Sequence, residues 1–77
     1  MTPLPRATDK DVVRAIEGSG FVLSHLRGSH HYLKKPGGGR LISVPVHGNR
    51  DLPTGTLRSI IRQAEITTDT LTQALYS

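Results

Sequence analysis

Two breaks govern what residues 21–46 can become. Gly28-Ser29 and Pro36-Gly37-Gly38-Gly39 divide the stretch into three short pieces, and a two-residue Gly-X link of the first kind is a recognised hairpin turn. Phe21 to Arg27 is apolar-rich and partly β-branched, and His30 to Lys35 follows the turn directly. From Arg40 to Val46 the chain alternates, with Ile42, Val44 and Val46 on one face and Leu41, Ser43 and Pro45 on the other. The pattern predicts three antiparallel strands over 21–27, 30–35 and 40–46. Pro45 cannot donate a ladder hydrogen bond, so the third strand must lie at an edge or be interrupted there.

Helices are expected on both sides. Thr8 can cap a first helix over about 9–17, with Asp9 and Asp11 in its first turn, where the helix dipole favours negative charge. Val12, Val13 and Ile16 form its apolar stripe, and Gly18-Ser19-Gly20 stops it. After a polar loop, Leu57, Ile60, Ile61 and Ala64 fall at i, i+3, i+4 and i+7, the clearest helical period in the chain. Thr54 or Thr56 is expected to cap this helix behind Pro53. Thr67 or Thr68 then opens a short last helix built on Leu71, Ala74 and Leu75. The order is helix, three antiparallel strands, helix, short helix, an α+β arrangement with one sheet face under the helices and the other toward water.

At 77 residues the chain is a single domain, 1–77, with residues 1–7 as a proline-bearing extended lead-in. It has no cysteine, so neither a disulfide framework nor a thiolate metal site is available. The formal net charge of +4 favours a polyanionic partner, although the cations are spread along the chain. No apolar run approaches the ~20 residues that span a bilayer, and the first residues lack a signal-peptide core, so the expected compartment is the cytoplasm.

Period-two alternation splits the second strand. His31, Leu33 and Lys35 share one face; His30, Tyr32 and Lys34 share the other. Leu33 marks the core side, which makes His30 the accessible histidine and His31 the sheltered one. Histidine exchanges a proton near neutral pH, and one set among cations suits acid–base work on an anion such as an RNA phosphate. Four histidines suggest a zinc site only weakly, because no carboxylate or cysteine stands at ligand spacing.

These residues also resemble a known family. Gly28-Ser29-His30-His31, then Pro36 and its glycines, then Val44-Pro45-Val46-His47, then Gly55-Thr56-Leu57-Arg58-Ser59-Ile60 are similar, in order and spacing, to the HicA toxins of bacterial type II toxin–antitoxin systems. The likeness runs from about Val12 to Leu75. It implies a double-stranded-RNA-binding-domain-like fold, metal-independent endoribonuclease activity on mRNA without a cofactor, and a HicB-like antitoxin that holds the toxin inactive. The family's catalytic histidine follows the Gly-Ser pair and maps onto His30. The chain departs from the family pattern twice. Leu52-Pro53-Thr54-Gly55 lacks the lysine usual at the approach to the second helix, and Glu65 follows Ala64 where glycine is usual.

Cleavage of this kind needs a base for the 2′-hydroxyl, an acid for the leaving 5′-oxygen and cations for the phosphorane. Arg27, Lys34, Lys35 and Arg40 are the nearest cations in sequence, and Lys34 is favoured because it shares the His30 face. Backbone N–H groups at Gly28-Ser29 can bind a phosphate oxygen, and Tyr32 can stack on a base. His25, His47, Tyr32 or the phosphate itself are open as the second proton carrier. A non-catalytic RNA-binding module is the main alternative; an adaptor for an acidic protein is a third.

Overall fold

The computed structural model describes residues 4–76. Along them run α1 (Asp9–Gly18), β1 (Val22–Arg27), β2 (His30–Lys34), β3 (Ile42–Pro45), α2 (Thr54–Ala64) and α3 (Thr68–Leu75). This is the expected α+β order. Of the lead-in, residues 1–3 lie outside the described residues; from Leu4 the chain has no regular structure until Thr8. Leu4 and Ala7 nonetheless pack on the core. No helix among the described residues is long and apolar enough to cross a membrane.

The helix ends follow local chemistry. The Thr8 hydroxyl accepts the Asp11 N–H at 3.2 Å, and Gly20 (φ +100°) completes the turn after α1. Phe21 belongs to that stop rather than to β1, since its N–H donates to the Ile16 carbonyl at 3.3 Å. At α2 the expected threonine cap is absent. Pro53 occupies the cap position, which puts Thr54 and Thr56 inside the first turn, and no side chain caps the helix. Thr67 caps α3 through the Thr70 N–H at 3.0 Å.

The sheet order is β1-β2-β3, all antiparallel, so β3 is an edge strand as Pro45 requires. Arg27 pairs with His30 across the two-residue turn, where Gly28 takes φ +59°. Leu33, Ile42 and Val44 are fully buried and meet Val12, Ile16, Leu57, Ile60 and Leu71 from the helices. Burying each such aliphatic side chain stabilises by roughly 1.5–3 kcal/mol.

The helical cover is narrower than expected. Both α1 and α2 pack on β3, whereas all six residues of β1 are exposed. Leu23 and Leu26 pair with Leu33 and His31, which puts them on the helix side of the sheet, yet they remain 44% and 59% exposed. The cause is where the helices are tied. The Asp9 N–H donates to the Arg50 carbonyl (2.8 Å), the Leu52 N–H donates to the Ala7 carbonyl (3.0 Å), and Thr8 bridges Asp51. The start of α1 is thereby fastened to the β3–α2 connection, at the far edge from β1.

Candidate active site

The register assembles the outer face from three strands. It carries Val22, His25 and Arg27 of β1, His30, Tyr32 and Lys34 of β2, and Ser43 and Pro45 of β3. His30 is the first residue of the middle strand and is exposed. Its neighbours across the ladders are Arg27 on one side and Pro45 on the other. Tyr32, half-buried, stands between two imidazoles. It stacks on His25 at 4.6 Å between ring centroids with 7° between planes, and it lies 6.3 Å from His30 at a tilt of 33°. The His25 Nδ1 is 3.1 Å from the Ser24 hydroxyl.

The cations divide differently from the sequence expectation. Arg27 is opposite His30, and directly opposite residues in an antiparallel pair have Cβ atoms about 4.5–5.5 Å apart. Lys34 shares the face but pairs with Val22, four residues along the strand and ~13 Å away at 3.3 Å per residue. Lys35 follows β2, with its Nζ 5.6 Å from the centre of the Phe21 ring. Arg40 is exposed ahead of β3. Gly28 and Ser29 are exposed, and the Ser29 carbonyl accepts the Val46 N–H at 2.7 Å. The structure thus brings Arg27, Gly28, Ser29 and Tyr32 around His30. Lys34 lies farther along the same face, and Lys35 and Arg40 lie outside the strands.

The other two histidines sit apart. His31 faces the helix side between Leu26 and Val44, and its buried Nδ1 has no hydrogen-bond partner among the described residues. The His47 backbone N–H donates to the Asp9 carboxylate at 2.6 Å. Its side chain lines a cleft of about 280 Å³ at the start of α2, together with Pro45, Arg50 and Thr56. Among the described residues no three His, Asp or Glu side chains gather in a way that could hold a metal ion.

Asp9 has a larger part than the sequence indicates. It is 1% exposed, and its carboxylate accepts the N–H groups of Lys10 (2.6 Å), His47 (2.6 Å) and Arg50 (3.4 Å). Burial is the largest single influence on its pKa and acts to raise it. The three N–H donors and the Lys10 charge together outweigh burial, and the carboxyl is held below its ordinary 3.8.

Electrostatics distinguish the sheet from the helices. The cations are spread, but the carboxylates are not. Residues 18–50 contain no Asp or Glu, yet they carry five of the ten Lys and Arg (Arg27, Lys34, Lys35, Arg40, Arg50) and all four histidines. The remaining five cations share the rest of the chain with all six acids. The ion pairs found among the described residues, Arg6–Asp51 (3.0 Å) and Arg14–Asp11 (3.6 Å), both lie off the sheet. Counting each sign separately, rather than the net charge, would have shown this from sequence. An exposed imidazole beside a guanidinium, on a surface without carboxylates, can receive an anion and exchange a proton with it.

Residues 10–66 match the model of a family described as the HicA toxin of bacterial toxin–antitoxin systems. The match spans nearly all of α1, the three strands and α2, and it leaves out α3. Among curated proteins, none matches the chain.

Proposed function

The chain belongs to the HicA toxin family, and from that premise we propose that it is an endoribonuclease that cuts mRNA without a metal, using His30 to move a proton. The family is one of toxins that act on RNA and are paired with an antitoxin. The observation that carries the finer reading is the exposed His30 ring opposite Arg27, on a face with no carboxylate to neutralise it.

In this reading the neutral His30 imidazole takes the proton of a 2′-hydroxyl. The 2′-oxygen then bonds to the adjacent phosphorus, the bond from phosphorus to the 5′-oxygen breaks, and a second group returns a proton to that oxygen. Requiring the 2′-hydroxyl restricts the substrate to RNA. The Arg27 guanidinium and the turn N–H groups at Gly28-Ser29 offset the charge growing on the phosphorane. His25 and Tyr32 share the His30 face and are the better placed second groups; His47 lies off it, by the α2 cleft. Tyr32 also offers a ring for base stacking, and Lys34 extends the cationic track along the strand. Lys35 and Arg40 meet the RNA only beyond the reacting phosphate. A HicB-like antitoxin that covers the outer face of β2 would silence the enzyme by hiding His30.

The test is RNA cleavage in EDTA by wild type and His30→Ala. A positioned acid or base contributes about 10²–10⁴-fold, so a loss of that size is expected, with wild-type cutting unchanged by chelation. Undiminished cutting by His30→Ala removes its role, and wild-type activity lost in EDTA removes the metal-free step. Salt-sensitive RNA binding with no product would favour the RNA-binding module instead.

A further inference from the structure

We propose that the open edge of β1 is where a partner protein adds a strand, and that this strand alternates apolar with acidic side chains. The inference rests on reading the chain as a toxin held by an antitoxin, and it assigns the surface and the chemistry of that contact.

Three features of β1 lead to it. First, among the described residues β1 pairs only with β2, and antiparallel pairing turns the N–H and C=O groups of alternate residues away from that partner, toward the open edge. Second, three of the five large apolar side chains exposed among the described residues (Val22, Leu23, Leu26, Leu41 and Tyr76) lie in this one strand, and two of them, Leu23 and Leu26, share one face. Leu23 and Leu26 stand on the helix side yet stay 44% and 59% exposed. Third, β1 carries little of the usual defence of an edge beyond one register shift, between Leu23 and His25. Natural edges are blunted by proline, by inward charges or by bulges. The other edge, β3, carries Pro45. In β1 the sole charge is Arg27 at the hairpin tip, and the irregularity between Leu23 and His25 leaves His25–Arg27 in regular register.

Charge decides what docks there. A second copy would bring a sheet whose strands carry Arg27 and Lys34 and no carboxylate, and like charges brought together on a sheet face are destabilising. An acidic partner meets no such penalty. Period-two alternation then fixes the pattern. Residues of the added strand that point to the helix side meet Leu23 and Leu26 and should be apolar. Their neighbours point to the outer face beside His25 and Arg27 and should be Asp or Glu. Such carboxylates would also engage the cation opposite His30, so a strand added at this edge would lead its protein onto the outer face of β2.

The experiment uses the full chain labelled with ¹⁵N and a ten-residue peptide alternating Glu and Val. Saturable amide shifts centred on Val22–Arg27 are expected, lost in Leu26→Asp, and at least tenfold weaker in affinity with a Lys-Val peptide. Leu23→Asp serves as a second variant, and thermal melts check that both remain folded. Shifts centred elsewhere, no shifts at millimolar peptide, unaltered binding by both variants, or equal binding of the Lys-Val peptide would each overturn the proposal. So would a dimer in sedimentation that Leu26→Asp dissolves, since a second copy would then be the occupant. RNA cutting by the same variants is expected at wild-type rate, so a failed docking test leaves the His30 result standing and the reverse.

Discussion

Leu23 and Leu33 face each other across β1 and β2 on the same side of one sheet. Leu33 is fully buried and Leu23 is 44% exposed. The difference is not in the residues, which are identical, but in what lies over them. The β3 side of the sheet receives two helices fastened to it by Asp9 and the Thr8–Asp51 bridge, while every residue of β1 stays exposed. One side holds the molecule together. The other, together with the outer face, is left for contact, and the outer face carries His25, His30, Arg27 and Lys34 with no carboxylate.

The largest effect that can break this comparison is truncation of the two leucines in turn. Leu33→Ala should cost about 2–5 kcal/mol, the range for emptying a buried aliphatic site. Leu23→Ala should stay within ~0.5 kcal/mol, as surface substitutions usually do. Urea denaturation of both variants measures it. Equal losses would mean that β1 is covered in solution and that the two-sided description is wrong.

The tie at Asp9 gives the next effect. Asp9→Ala leaves the Lys10, His47 and Arg50 N–H groups without their carboxylate, at about 1–3 kcal/mol for each donor that stays buried. The pH dependence follows from direction alone. The folded carboxyl is held below its ordinary 3.8, so the unfolded chain takes up its proton first as the pH falls. Stability from Asp9 is therefore complete above that ordinary value and drains away as the pH drops through the lower folded one. Melts between pH 2 and 7 should show a steep acid limb in wild type and a shallower one in Asp9→Asn. Superimposable limbs would discard Asp9 as the fastening that centres the helices on β3.

Much of this is legible in the sequence. Glycine and proline breaks fix strand limits because the backbone has few alternatives at Gly28 or Pro36, and the Leu57–Ile60–Ala64 spacing admits only a helix. Alternation likewise separated His30 from His31. What escaped were facts that depend on distant partners. The donors to Asp9 include His47 and Arg50, 38 and 41 residues away, and no local pattern announces them. The bare side of β1 was hidden because its two inward leucines look like core residues, and only the anchoring of α1 shows otherwise. The sequence favours Lys34 over Arg27 because alternation reports a face but not a position along it. The two-residue turn holds that missing information, since it forces Arg27 opposite His30. At α2, proline displaced the expected threonine cap, a competition between neighbours that residue preferences do not settle.

The smallest effect concerns the C-terminus of α2, on the covered side. Glu65 has φ 57° and ψ 38°, its N–H donates to the Arg62 carbonyl at 3.2 Å, and the Ile66 N–H donates to the Ile61 carbonyl at 3.3 Å. This pair of bonds defines a Schellman stop, whose left-handed position normally holds glycine. A side chain there costs roughly 1–2 kcal/mol, against which glycine brings back about 0.5–1 kcal/mol of backbone entropy. Glu65→Gly should therefore stabilise by up to about 1 kcal/mol and raise Tm by up to ~4–8 °C. Amide exchange makes the result bear on the two sides of the sheet. Protection at Leu33 and Ile42 should rise with global stability, while the outward N–H groups of β1, which exchange by local opening, should not follow. If β1 protection climbs in step with the core, the bare edge unfolds only with the whole molecule, and its readiness to accept another strand would have to be argued from something other than exposure.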